Sequence, residues 1–113
     1  SNPAQASHFF KRIVSSGLTP DRISWGSLIN AHATIGDVRS ADDAFRQMEE
    51  AGIIATEANF GQLLKACGRA CPKMSERAAE LFRFMVAERK LQPSIILLTI
   101  LRTAVGDGTM LAL

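Results

Sequence analysis

Two runs of apolar side chains at helical spacing lie between residues 22 and 56. Ile23, Trp25, Leu28, Ile29 and Ala31 form the first, and Gly36-Asp37 interrupts it. Val38, Ala41, Ala44, Phe45 and Met48 share one face of the second, which stops at Gly52. Helix, tight turn, helix and closing glycine predict an αα-hairpin. One hairpin cannot bury its own apolar face, so the flanking chain must cover it.

The flanking chain repeats the pattern. Ala6, Phe10, Ile13, Gly17, Leu18, Pro20 and Asp21 correspond to Ala41, Phe45, Met48, Gly52, Ile53, Ala55 and Thr56 at a shift of 35 positions. Phe60, Leu63 and Leu64 follow Trp25, Leu28 and Ile29 by the same 35, whereas Ala78, Phe82 and Met85 follow Ala41, Phe45 and Met48 by 37. Two additional residues therefore fall near 71–75, where Pro72 is ill suited to a helix interior. A further copy opens after Ser94, with Leu98 and Leu101 again three apart. The expected fold is all-α, a right-handed α–α superhelix (solenoid) of helix-turn-helix repeats. Its expected divisions are 2–21, the second helix of a partial repeat; 22–56 and 57–94, full repeats; and 95–113, a first helix with a tail.

Helices are expected over 3–16, 22–35, 38–51, 57–70, 76–89 and 95–105. Phe9, Phe10, Ile13 and Val14 supply the apolar face of the first, and Ala79, Phe82, Met85 and Val86 that of the fifth. Asp37, Thr56 and Ser75 are expected caps, and Glu57 suits the positive end of its helix dipole. Asp42 is expected to pair with Arg46 on the wet side, and the acid pairs Asp42-Asp43 and Glu49-Glu50 to be solvated. The last helix has only Thr99, Arg102 and Thr103 polar, and so expects cover on more than one side. The tail Met110-Leu111-Ala112-Leu113 either folds back on it or is disordered.

A period of 35 carrying WGSLINAH, an Ala-x3-Phe-x2-Met second helix and a closing Gly-Ile resembles the pentatricopeptide repeat family. The joint GLTPD at 17–21 fits that family's link closely and KLQPS at 90–94 more loosely. GIIAT at 52–56 departs from it, with Ala55 where proline is usual. The likeness runs from residue 2 to about 106. The tetratricopeptide repeat is the rival form, since Trp25-x2-Leu28 also fits its start. That form wants a small residue at Ile29, an aromatic at His32 and a period of about 34.

The resemblance implies single-stranded RNA as ligand, lying on a concave surface of first helices with one base per repeat. In the family the reading pair is the residue after the aromatic and the last residue of the motif. Carried over, these are Gly26 with Thr56, Gly61 with Ser94, and Thr99. A position that flanks the base falls on Ile23, Ala58 and Ile96. The family commonly reads with Asn, Thr or Ser, and a glycine has no side chain to do so, which implies weak base selectivity. Glycine also either admits a base closely or lets neighbouring first helices pack. One turn along lie Asn30 and Thr34, then Lys65 and Arg69, then Thr103. Lys65 and Arg69 are four apart and project together beside Gly61 as candidate phosphate contacts. The alternative is a protein-interaction scaffold that takes a peptide or helix on the same face. Exposed apolar ends, the Phe9/Ile13 side and the Ile96/Leu97/Ile100 side, favour self-association. The family's usual setting implies a mitochondrion or plastid and organelle RNA processing.

Composition changes this picture little. The 113 residues are 47% hydrophobic, enough for a continuous core, and the formal charge of +2 argues neither for nor against RNA. No apolar run reaches the length of a membrane span. The abrupt start and stop suggest a piece of a longer protein. Cys67 and Cys71 lack a second Cys/His pair at ligand spacing, so no metal site or other cofactor is expected. No phosphate-cradling glycine loop or nucleophile motif points to an enzyme.

Overall fold

The structure, a computed structural model, describes residues 3–106. Its regular elements are α1 (Pro3–Ser15), α2 (Arg22–Thr34), α3 (Val38–Glu50), α4 (Glu57–Arg69), α5 (Ser75–Ala87) and α6 (Ile95–Val105). These ends lie within two residues of the sequence expectation. The molecule is elongated, 48 × 29 × 20 Å. Helix α4 lies between α2 and α6, and the three make one layer. Helix α3 packs on α2 and α4, α5 packs on α4 and α6, and α1 packs on α2. Each hairpin thus covers the next, as a helical-repeat solenoid requires.

Side chains set the helix starts. Asp21 Oδ1 accepts from the Ser24 N–H at 2.9 Å, Asp37 Oδ1 from Ser40 at 3.1 Å, and Ser94 Oγ from Leu97 at 3.1 Å. Asn59 reaches back so that its Oδ1 accepts from the Thr56 N–H at 2.9 Å. Ser75 is not a cap. Helix α5 begins at Ser75 after Met74, and the Ser75 hydroxyl donates to the Ala104 carbonyl at 2.7 Å. That carbonyl belongs to the last turn of α6, where no intrahelical donor exists, so the hydroxyl satisfies it instead.

Trp25, Phe45, Phe60, Leu63 and Leu101 are buried in one core, with Leu28 and Phe82 partly buried against it. Phe45 meets Phe60 edge-on at 5.1 Å, and Phe10 meets Trp25 at 4.4 Å. The face expected for α1 is only half used: Phe9 and Val14 are exposed, because α1 has a single neighbour. In α5 the buried stripe is Ala78, Ala79, Leu81 and Met85, with Phe82 partly buried, and Val86 faces out. The end expected at Ile96/Leu97/Ile100 is also narrower. Leu97 is buried and Ile100 partly so, while Ile95 and Ile96 are exposed.

The turn between α2 and α3 is fixed by a close approach. Gly36 has φ +76°, and a Cβ there would lie 2.5 Å from the Arg69 carbonyl oxygen. Only glycine accommodates both conditions. At the joints after α1, α3 and α5 the chain also turns left-handed, at Gly17, Gly52 and Lys90 respectively.

Candidate nucleic-acid interface

The layer of α2, α4 and α6 carries an open cleft of about 260 Å³. Asn30, Ala58, Gly61, Lys65, Ser94 and Ile96 all line it. The structure therefore brings together half of the candidate residues that the sequence singled out. The rest lie around this point. Ile23 borders a separate apolar cleft of about 380 Å³ between α1 and α2. Gly26 faces Asn59 and Gln62, whose nitrogens would each lie 3.9 Å from a Cβ. Thr56 is exposed at the start of α4, and Thr99 is exposed on α6 with its hydroxyl donating to the Ile95 carbonyl at 2.9 Å.

Gly61 is buried, and a Cβ there would stand 3.8 Å from Leu97 and from Ile100. That is ordinary contact distance, so α6 would pack on α4 with or without a Cβ at this position. Of the last-position residues, Ser94 spends its hydroxyl on capping α6, and its N–H donates to Glu57 Oε2 at 2.6 Å. The Thr56 hydroxyl donates to Asn59 Oδ1 at 3.2 Å.

Lys65 and Arg69 do not simply stand side by side in solvent. Lys65 Nζ donates to Asn30 Oδ1 at 2.6 Å, and Arg69 Nη1 donates to the Thr34 carbonyl at 3.2 Å. Each bond links a residue to the one 35 positions earlier, the same place in the preceding repeat. Arg69 also puts its charge on the carbonyl end of α2, the negative pole of that helix. Partial burial, and then the nearby Arg69 charge, lower the pKa of Lys65. Thr34 is turned inward on its own helix, donating to the Asn30 carbonyl at 2.8 Å.

Glu57 and Gln62 also line the cleft, and the family pattern does not mark them. The signal for Glu57 was present: Glu57, Gly61 and Lys65 are spaced by four along α4 and share a face.

The opposite side of the solenoid is organised by ion pairs that local spacing did not reveal. Asp42 pairs with Arg77 at 3.4 Å rather than with Arg46, which pairs with Asp43 at 2.9 Å. The next repeat brings Arg77 alongside Asp42, so the partner comes from 35 residues away. Glu49 is not simply solvated either, since Arg89 holds both of its oxygens.

Cys67 is buried, Cys71 exposed, and both are free. Burial pushes the Cys67 thiol up to about 11, which keeps it protonated and unreactive. Among the described residues there is no group of His, Cys, Asp and Glu arranged for a metal ion. No described helix is long and apolar enough to cross a membrane.

Stacked αα-hairpins, with one layer carrying a cleft lined by both polar and apolar side chains, define a helical-repeat fold. The PPR repeat profile matches residues 23–53. In Arabidopsis thaliana, a pentatricopeptide repeat-containing protein is 35% identical over 74 residues, which is 66% of this chain and 17% of that protein. A second is 31% identical over 85 residues, 75% of this chain and 12% of its own length. A third, named mitochondrial, is 30% identical over 90 residues, 80% of this chain and 18% of its own. The chain belongs to the pentatricopeptide repeat family. It spans less than a fifth of the length of these relatives.

Proposed function

We propose that this chain is a binding module, not a catalyst, that holds single-stranded RNA on the α2–α4–α6 layer, the concave face of the solenoid. Proteins of this family are generally RNA-binding repeat proteins that take one base per repeat. The observation that carries the reading is the pair Lys65 and Arg69, anchored from the preceding repeat beside the cleft at Gly61. Both cations, held by neutral acceptors, keep charge for phosphate, which positions a strand without reading it, and the Lys65 ammonium has a further proton to offer a base edge. Gly26 with Thr56, Gly61 with Ser94, and Thr99 are the reading positions, and Ile23, Ala58 and Ile96 flank the bases. Asn30 and Thr34 hold the two cations. With repeats at 22–56 and 57–94 and glycine at both first reading positions, base selectivity over the strand is weak. A relative named mitochondrial supports an organelle, mitochondrion or plastid, as the setting.

Titration of fluorescent single-stranded RNA by anisotropy, at two salt concentrations, tests this. Affinity is expected on the order of micromolar or weaker at physiological salt, falling as salt rises. Lys65→Glu with Arg69→Glu should weaken uridine, adenosine and cytidine tracts alike and flatten the salt slope by about one unit per lost contact. A double variant that binds as well as the parent removes RNA from this face. The second reading, a protein scaffold that also self-associates, then leads; exposed Phe9, Ile95 and Ile96 at the two ends favour it.

A further inference from the structure

Glu57, Gly61 and Lys65 stand one above another on one face of α4, a turn apart. The acid and the base are thus about 12 Å apart along the helix axis, with a glycine between them. All three line the same cleft, and Leu97 and Ile100 of α6 give it an apolar wall. Both charged groups are already oriented. Glu57 Oε2 accepts from the Ser94 N–H at 2.6 Å, and Lys65 Nζ donates to Asn30 Oδ1 at 2.6 Å.

Both also have capacity left. The second carboxylate oxygen of Glu57 accepts, and the ammonium has further protons to donate. Asn30 uses its oxygen on Lys65, so its amide nitrogen is the group that remains, again a donor. The cleft therefore has an accepting end and a donating end, and an apolar side suited to a flat ring. A base seated there must turn adjacent donors towards Glu57 and acceptors towards Lys65.

We propose that the cleft at Gly61 selects guanine, whose N1–H and N2 amino group donate to Glu57 while its O6 and N7 edge accepts from Lys65 and Asn30. Guanine is the base whose two neighbouring donors match a carboxylate, and lysine matches its O6 and N7. Adenine and cytosine turn a single amino group to the carboxylate with a ring-nitrogen lone pair beside it. Uracil offers one N–H flanked by two carbonyl oxygens. In each of these a lone pair faces the negative oxygen and repels it. The absent side chain matters too: a Cβ at Gly61 would already touch Leu97 and Ile100, and anything longer would occupy the space of the base.

The preceding repeat cannot do the same. Arg22 and Asn30 stand where Glu57 and Lys65 stand, and Arg22 Nη1 is spent on the Ile54 carbonyl at 2.7 Å. Selection is therefore confined to one base of the bound strand, which leaves overall selectivity weak. It presupposes that RNA lies on this layer as proposed above.

The test uses uridine tracts with one central guanosine, inosine, adenosine or cytidine, titrated by anisotropy. Guanosine should bind about ten-fold tighter than uridine at that place. Inosine, which lacks the N2 amino group, should lose most of that advantage. Glu57→Gln keeps an acceptor for Ser94 but removes the charge, and the guanosine-to-uridine ratio should fall towards one; circular dichroism confirms that the variant is folded. Equal affinity of the parent for all tracts overturns the guanine inference and leaves RNA binding standing. Binding to none overturns both. A guanosine advantage that survives Glu57→Gln also overturns it, because the choice is then made elsewhere.

Discussion

Arg89 meets Glu49 through two parallel hydrogen bonds, Nη1 to Oε2 and Nη2 to Oε1, each 2.7 Å long. Arg89 lies just beyond α5 and Glu49 on α3, two helices whose backbones do not come close among the described residues and which meet through side chains. The guanidinium also sits over Phe84 at 5.1 Å and Phe60 at 5.7 Å, and Glu49 Oε2 accepts from the Ala55 N–H at 3.3 Å. With Asp42–Arg77, this pair ties together the outer helices of successive repeats.

Acid should weaken that tie. The hydrogen bonds from Arg89 hold the Glu49 carboxyl below its usual range, and burial opposes them. A carboxyl lowered by folding adds stability that is full above its unfolded value, about 4.3 for glutamate, and is lost as pH falls through the folded value. Glu49→Gln is therefore expected to cost about 1–2 kcal/mol at neutral pH. In thermal melts its deficit against the parent should shrink once the pH drops below about 4.3. A deficit that stays constant down to strong acid would show that ionisation of Glu49 contributes nothing.

Phe45 is 9% exposed and packs edge-on against Phe60 across the hairpin boundary. Phe45→Ala should cost about 3–5 kcal/mol. A small domain has roughly 5–15 kcal/mol in all, so the variant is expected to be partly unfolded at 37 °C. A melting temperature within about two degrees of the parent would contradict this, since 1 kcal/mol moves a domain of this size by several degrees.

Gly36 and Gly52 separate two reasons for a glycine. Both have positive φ, but a Cβ meets nothing within 4 Å at Gly52 and lies 2.5 Å from the Arg69 carbonyl at Gly36. Gly52→Ala is expected to cost about 1–2 kcal/mol, the left-handed penalty alone. Gly36→Ala must in addition push the turn off the end of α4, and should cost clearly more. Equal losses in denaturant melts would mean that the turn does not press on α4.

The ends are expected to associate. Ile95 and Ile96 are 83% and 74% exposed, and Phe9 is 67% exposed at the other end. Sedimentation should show concentration-dependent association, and Ile95→Lys with Ile96→Glu should reduce it. A strict monomer at millimolar concentration would exclude such contacts.

The helices and their order were legible in the sequence because the information is local and repeated. Trp25 recurs as Phe60 and Phe10 as Phe45 after 35 positions, Met48 recurs as Met85 after 37, and each hairpin's apolar spacing and caps depend on neighbours a turn or two away. The six-residue grouping at the cleft was partly legible for the same reason, since equivalent positions in stacked repeats must align. What the tertiary structure alone decided is which polar group each charge meets. Local spacing pointed Asp42 to Arg46, yet Arg77 takes it; Ser75 looked like a cap, yet its hydroxyl serves Ala104 in another helix. Glu57 looked like a dipole partner, yet it reaches Ser94 and the cleft wall. These bonds join residues 29–37 positions apart, and a hydrogen bond depends on ångström distances that the crossing of two helices sets. Burial repeats with the sequence period, whereas partner choice waits on packing.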